Sequence, residues 1–173
     1  SPNTYTYGAV VTEPVAYTPT FTGFGTVSAV NVRSWRVGKM LKVQGTFTAG
    51  TPTATEARIT FGYGGVNGGI TSDSGLPTLS SCGAWGINAN GAATDATLME
   101  ANVGYMTFGH GYTSGSYLSK ANGNLVVGTG SIMSFFGEFP IQGWGTAQVL
   151  SSETSTSVVG FYATASGLSI STG

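Results

Sequence analysis

Apolar and polar residues alternate most clearly along residues 41–48. Every second residue from Leu41 to Phe47 is Leu, Val, Gly or Phe, and the residues between them are Lys, Gln and Thr. Side chains with a period of two lie on opposite faces of a strand, so this segment predicts a half-buried β-strand. The apolar, β-branched segment before it predicts a second strand. Residues 28–48 are therefore expected to form a β-hairpin that turns near residues 37–39.

A second alternating segment covers residues 56–61. Ala57, Ile59 and Phe61 are expected to face the core, and the polar residues between them to face solvent. The sequence GYGGVNGG follows at residues 62–69, and its five glycines predict a loop.

The remaining apolar segments predict further strands at residues 15–21, 79–87, 103–108, 124–133, 134–142 and 157–163. A short helix is expected at residues 95–101. Asn-Gly pairs at residues 67–68, 90–91 and 122–123 predict tight turns. About eight to ten short strands in an otherwise turn-rich chain are typical of an all-β, jelly-roll-like antiparallel β-sandwich.

The domain organisation is expected to be simple, because 173 residues favour one domain. Residues 1–26 are rich in Thr, Tyr, Pro and Gly and predict an extended N-terminal arm and a first strand. Residues 27–173 are expected to form a single β-sandwich domain. The chain starts at Ser1 rather than Met, so we expect a fragment or a processed product.

Charged residues make up only 8% of the chain, against about 25% in an ordinary soluble domain. A surface this poor in charge must be covered by hydroxyls and amides, or hidden in an oligomer. The net charge of −1 argues against general nucleic-acid binding. No apolar run is long enough for a transmembrane helix, so membrane insertion is not expected. Cys82 is the only cysteine and is expected to be a small buried group, not a reactive thiol.

Four of the six cationic residues, Arg33, Arg36, Lys39 and Lys42, lie within ten residues. Strand geometry places successive members of this series on opposite faces and puts Arg33 on the same face as Trp35. We therefore expect these cations to keep the hairpin solvated. The alternative is that Arg33 and Arg36 together bind an acidic glycan or a lipopolysaccharide phosphate.

The same hairpin carries a resemblance to a known family. The pattern W-R-V-G-x-x-L-x-V-x-G-T-F-T at Trp35–Thr48, the sequence TATEARITF at Thr53–Phe61 and the sequence FPIQGW at Phe139–Trp144 resemble a module at the ends of bacteriophage tail and virion-associated proteins. The module usually has Asp in the turn where this chain has Lys39. The resemblance implies a trimeric β-sandwich, similar in outline to C1q-like heads and displayed on a virion. It implies no catalytic residues.

Residues for catalysis or metal binding are scarce. His110 is the only histidine and lies in a glycine-rich segment without a nucleophile elbow. A structural zinc site needs about four His or Cys ligands, and the chain has two such residues. The carboxylates Asp73, Asp95, Glu100 and Glu138 show no pairing that would indicate a glycosidase. We therefore expect no enzyme activity, no metal and no cofactor.

Aromatic residues in or beside Gly/Ser/Asn-rich segments are the best ligand signal. Aromatic rings stack on the C–H faces of sugars, while amides and hydroxyls bind sugar hydroxyls. The candidate ligand-binding residues are Tyr63, Trp85, His110, Tyr112 and Tyr117. The alternative is that these aromatics pack in the core or between subunits.

Four other aromatic residues have a structural expectation. Phe139 and Trp144 are predicted to lie in the core or in a subunit interface. Phe135 and Phe136 are adjacent, so one should face the core and the other should be covered, for example by a neighbouring subunit.

Together these features predict a homotrimeric bacteriophage virion protein, a fibre tip or head-attached fibre, exposed on the tail or capsid surface. It would contact other virion proteins and bind host-surface polysaccharide without catalysis. Three alternatives remain open: a decoration protein with no ligand, a nonphage C1q-like carbohydrate-binding module, and a polysaccharide-cleaving enzyme.

Overall fold

The computed structural model describes residues 5–87, 94–111, 119–145 and 147–152. Within these residues the regular secondary structure consists of β-strands and a single helix of four residues. All strand pairings are antiparallel. The predicted all-β class is confirmed.

The elements follow in chain order as β1 (Tyr5–Ala9), β2 (Val15–Tyr17), β3 (Phe21–Thr22), β4 (Ser28–Val37), β5 (Met40–Thr48), β6 (Arg58–Thr60), β7 (Gly62–Tyr63), β8 (Val66–Asn67), β9 (Ser80–Ile87), β10 (Thr94–Met99), β11 (Tyr105–His110), β12 (Ser119–Lys120), α1 (Gly123–Val126), β13 (Ile132–Pro140) and β14 (Ala147–Ser152).

The chain divides into two compact units. One comprises Ser1–Val10 and Gly145–Gly173, and the other comprises Val11–Trp144. In the first unit, β1 pairs with β14. The second unit contains one large sheet and the small β7–β8 hairpin.

The large sheet has ten strands in the order β2-β4-β5-β13-β9-β10-β11-β6-β3, with β12 attached to β11. Its two end strands, β2 and β3, are separated by only residues 18–20 in the sequence. The sheet must therefore curl until its ends approach each other. The hydroxyl of Tyr17 on β2 donates a hydrogen bond of 2.8 Å to the carbonyl of Thr60 on β6, which joins the two ends.

Aromatic rings fill the interior of this curled sheet. The rings of Phe24, Phe47, Phe108 and Phe135 form a cluster with centroid distances of 5.0 to 6.1 Å in edge-to-face arrangements. These four side chains are at most 4% exposed. Such burial is the main driving force for folding, so this cluster anchors the surrounding strands.

The two alternating segments have the predicted orientation. Leu41, Phe47, Ala57, Ile59 and Phe61 are all at most 1% exposed. Strands β4 and β5 form the predicted hairpin, and its turn contains Gly38 with a φ of 59°. This positive φ favours glycine at that position.

Several predicted elements differ from the structure. The segment 95–101 is strand β10 rather than a helix, because its backbone pairs with both β9 and β11. The segment 124–133 is not one strand: it begins in helix α1 and reaches β13 only at Ile132. The single strand expected at 15–21 is interrupted around Pro19, where the ring nitrogen has no hydrogen to donate to a ladder.

The other predicted strands and turns agree more closely with the structure. Strands β9, β11 and β13 lie within two residues of their expected starts and ends. The segment 62–69 forms the short β7–β8 hairpin, followed by Gly68 at a φ of 81°. Asn122 precedes α1 with a φ of −72° instead of forming the expected turn. The predicted strand at 157–163 and the Asn-Gly pair at 90–91 lie outside the described residues.

Candidate functional site

A broad depression lies on the sheet face opposite the core, across β4, β5, β13 and β9. Its volume is about 610 Å³, which is within the range of small-ligand sites. We call it the outer groove. The residues on this face that line it, together with Pro14 beside them, are Asn31, Arg33, Trp35, Gln44, Thr46, Ala84, Gly86, Ser134 and Phe136.

Strand register fixes the order of the groove side chains. Arg33 lies opposite Gln44, Gln44 lies opposite Phe136, and Phe136 lies opposite Ala84. These four residues form a row across four strands. Because neighbouring strands are about 4.8 Å apart, the backbones of Arg33 and Phe136 are separated by roughly 10 Å.

Two aromatic rings border the groove, and its edge on β9 is formed by very small residues. Phe136 is 46% exposed, although the adjacent Phe135 is only 4% exposed. Trp35 is half-buried on β4, two strands away. Ala84 and Gly86 on β9 are too small to cover Phe136. A ligand could therefore stack on aromatic surface here.

The polar side chains of the groove have no hydrogen-bond partners among the described residues. Asn31, Arg33, Gln44, Thr46 and Ser134 make no side-chain hydrogen bond to any residue that the structure describes. They supply amide, hydroxyl and guanidinium groups, which are the groups that bind sugar hydroxyls and substituents. The groove thus combines aromatic surface with uncommitted hydrogen-bonding groups.

A smaller depression of about 230 Å³ continues from the groove and shares Trp35, Gln44 and Phe136 with it. It also includes Lys42 and Glu138, which form an ion pair of 3.3 Å. The lining of this extension therefore has no net charge.

The cation series divides between the two faces of the hairpin, as the strand alternation predicts. Arg33 lies in the outer groove beside Trp35. The guanidinium of Arg36 instead lies 4.4 Å above the ring of Trp144, and its Nε donates to the carbonyl of Gly38. Because Arg33 and Arg36 lie on opposite faces, one anion cannot bridge them, and that alternative is wrong.

Trp85, one of the candidate ligand-binding residues, is in the core. It is 2% exposed, and its indole N–H donates a hydrogen bond of 2.8 Å to the carbonyl of Gly109. Trp85 lies in the middle of β9, where alternation turns its side chain inward. Its ring has no free face for a ligand, so the assignment of Trp85 to a binding site is wrong.

Tyr63 is half-buried and packs against Trp144, with ring centroids 4.8 Å apart. It lies on β7, outside the outer groove. Phe139, by contrast, is fully buried against Phe61 at 4.5 Å, which confirms its predicted place in the core.

His110 lies at the end of β11, with Nδ1 4.0 Å from Oδ2 of Asp95. The same carboxylate oxygen accepts a hydrogen bond of 2.8 Å from the backbone N–H of Gly111. This arrangement holds the end of the strand in place. Tyr112 and Tyr117, the last two candidates, lie outside the described residues.

The carboxylates mostly form ion pairs. Asp73 lies 3.2 Å from Lys39, and Lys120 lies 3.0 Å from Glu56 and 3.1 Å from Glu100. Burial would raise the pKa of Glu56, but hydrogen bonds from Lys120 and Arg58 outweigh it and hold this pKa below its usual value. A glycosidase general acid needs a raised pKa, so Glu56 is not arranged for that role.

Within the described ranges, no cluster of three or more His, Cys, Asp or Glu side chains is placed to hold a metal ion. Helix α1 has only four residues, and the described part of the chain contains no helix that could cross a membrane.

Sequence reasoning missed the outer groove because its residues come from four strands that are distant in the sequence. Two signals were nevertheless present. The alternation along β5 places Gln44 and Thr46 on the face away from the core, and the adjacent pair Phe135 and Phe136 requires one ring to face outward. Comparison with known proteins gives no further guide, since no protein-family model, curated protein or solved structure matches this chain.

Proposed function

We propose that this protein is a noncatalytic adhesion protein of a bacteriophage virion, exposed on the tail or capsid surface, that binds host-surface polysaccharide in the outer groove. The observation that carries the binding role is the groove itself. It places Trp35 and Phe136 on either side of β5, next to polar side chains without partners in the described part of the chain.

The virion assignment is supported by the sequence resemblance alone. Part of the groove, Trp35, Gln44 and Thr46, lies on the hairpin that carries that resemblance. A homotrimer, as the resemblance implies, would present three grooves. Three weak sites acting together would raise the affinity for a repetitive polysaccharide through avidity.

The test is binding of purified bacterial surface polysaccharides by the wild-type protein and by Phe136→Ala. Truncation of a central aromatic contact is expected to weaken binding about tenfold. Ile132→Ala is the matched control, because Ile132 is also 45% exposed on the same face of β13 but does not line the groove. Absence of polysaccharide binding, or equal binding by the two variants, would refute the assignment of this groove.

A second candidate function is that of a structural decoration protein whose outer face is covered by another copy. The exposure of Phe136 and Ile132 on one face favours it, because exposed apolar side chains on one face can mark protein interfaces. In that case, polysaccharides would not bind, and charged substitutions at Phe136 would break the assembly.

A further inference from the structure

Arg33 differs from the other cationic residues in its surroundings. Lys39, Lys42, Arg58 and Lys120 each form an ion pair with a carboxylate, and Arg36 lies over Trp144. Arg33 is solvent-exposed and forms no ion pair with any carboxylate that the structure describes. It is also a lining residue of the outer groove.

The charge of the groove follows from this arrangement. Lys42 and Glu138 neutralise each other at the extension, and apart from Arg33 the other lining side chains are uncharged. The described lining therefore carries one uncompensated positive charge, located on β4. Charge complementarity then calls for a ligand with a negative group on that side.

We propose that the groove binds an acidic polysaccharide and that Arg33 binds its anionic substituent, a carboxylate or a phosphate. This inference rests on the proposed function. The guanidinium is a planar fork of N–H donors that matches either group with two parallel hydrogen bonds. Gln44, directly opposite Arg33 on β5, would bind an adjacent hydroxyl, and Phe136 would stack on the neutral face of a sugar ring.

The experiment uses the full chain and purified bacterial surface polysaccharides, each in native, carboxyl-reduced and dephosphorylated form. Arg33→Gln removes the charge but keeps an amide donor. Lys39→Gln is the matched control, because it removes the same charge from an exposed residue outside the groove. Dissociation constants are measured at low and high salt, since exposed charge interactions are screened by salt.

The expected result is that Arg33→Gln weakens binding about tenfold or more and abolishes the salt dependence, while Lys39→Gln binds like the wild type. Loss of binding after carboxyl reduction identifies a carboxylate, and loss after dephosphorylation identifies a phosphate; either supports the proposal.

Two outcomes overturn the proposal in different ways. If neutral polysaccharides bind equally well and only Phe136→Ala weakens them, the acidic ligand is wrong but the proposed function stands. If no polysaccharide binds the wild-type protein, the proposed function and this inference both fail.

Discussion

The hydroxyl of Thr97 donates a hydrogen bond of 2.8 Å to the main-chain carbonyl of Phe136, although a whole strand separates the two residues. Thr97 is on β10 and Phe136 is on β13, and β9 pairs with both of these strands. Thr97 is fully buried, so this bond ties the backbone beneath the groove to the interior of the sheet.

Thr97→Val is expected to lower the free energy of unfolding by about 1 to 2 kcal/mol, because it leaves the Phe136 carbonyl without the hydroxyl donor. The measurement is urea unfolding. Thr107→Val is the matched control: Thr107 is equally buried, but its hydroxyl lies 3.5 Å from its acceptor, so a smaller loss is expected. Equal losses in the two variants would show that the Thr97 hydrogen bond contributes no more to stability than the longer Thr107 contact.

Gly83→Ala is expected to destabilise the fold far more than Thr97→Val does. A Cβ at Gly83 would lie 2.0 Å from the carbonyl oxygen of Phe136 and 2.7 Å from Oγ1 of Thr97. The first of these atoms belongs to the backbone, so β9 and β13 would have to separate. We expect little folded protein, measured by circular dichroism and soluble yield. Gly75→Ala, where a Cβ would meet nothing within 4 Å, should fold normally, and a well-folded Gly83→Ala would contradict the packing described here.

The hairpin β4–β5 was predictable because its determinants are local: strict alternation, β-branched residues and a glycine at the turn. Strand β10 was not. Ala, Leu, Met and Glu give residues 95–101 a helical preference, but pairing with β9 and β11 overrides it.

The candidate site shows the same division between local and nonlocal information. The outward orientation of Arg33 and Trp35 follows from alternation alone. Their proximity to Phe136 depends on the pairing of β5 with β13, whose residues are about 90 positions apart in the sequence. Trp85 was placed wrongly because it lies beside a Gly/Asn-rich segment, although it is inside the strand predicted at 79–87, and the inward orientation of its side chain was not used.

Glu56→Gln is expected to lower the free energy of unfolding by about 1 kcal/mol at pH 7, because the carboxylate pairs with Lys120 and Arg58 at a partly exposed position. The pKa of Glu56 is lowered in the folded state, so its contribution is present above the ordinary value of 4.5 and is lost as the pH falls through the folded value. The difference from the wild type should therefore disappear in acid.

Thermal unfolding of both proteins at pH 7 and at pH 3 measures this effect. Glu13→Gln, which removes an exposed carboxylate outside this cluster, is the control at pH 7 and should unfold like the wild type. A difference between wild type and Glu56→Gln that persists unchanged at pH 3 would show that the side chain acts through packing rather than charge.

Cys82 is expected to react slowly with iodoacetamide in the folded protein. Burial raises the pKa of its thiol to about 11, so only about one molecule in a thousand carries the reactive thiolate at pH 8. Mass spectrometry of the modified chain should show much faster alkylation in urea, where burial is lost. Equal rates in buffer and in urea would contradict this placement of Cys82.

The proposed trimer and the proposed groove make a joint prediction at Phe136. Light scattering on a sizing column should give a mass near three chains of 17.6 kDa for the wild type at both low and high protein concentration. Phe136→Glu should leave this mass unchanged while abolishing polysaccharide binding, because the groove is proposed to face an acidic ligand and not a neighbouring subunit. If the variant instead dissociates, Phe136 lies in an interface between copies, and a neighbouring copy covers the ring that is 46% exposed in the single chain. The decoration role would then replace adhesion. A monomeric wild type would refute the trimer but leave the groove open to the polysaccharide test.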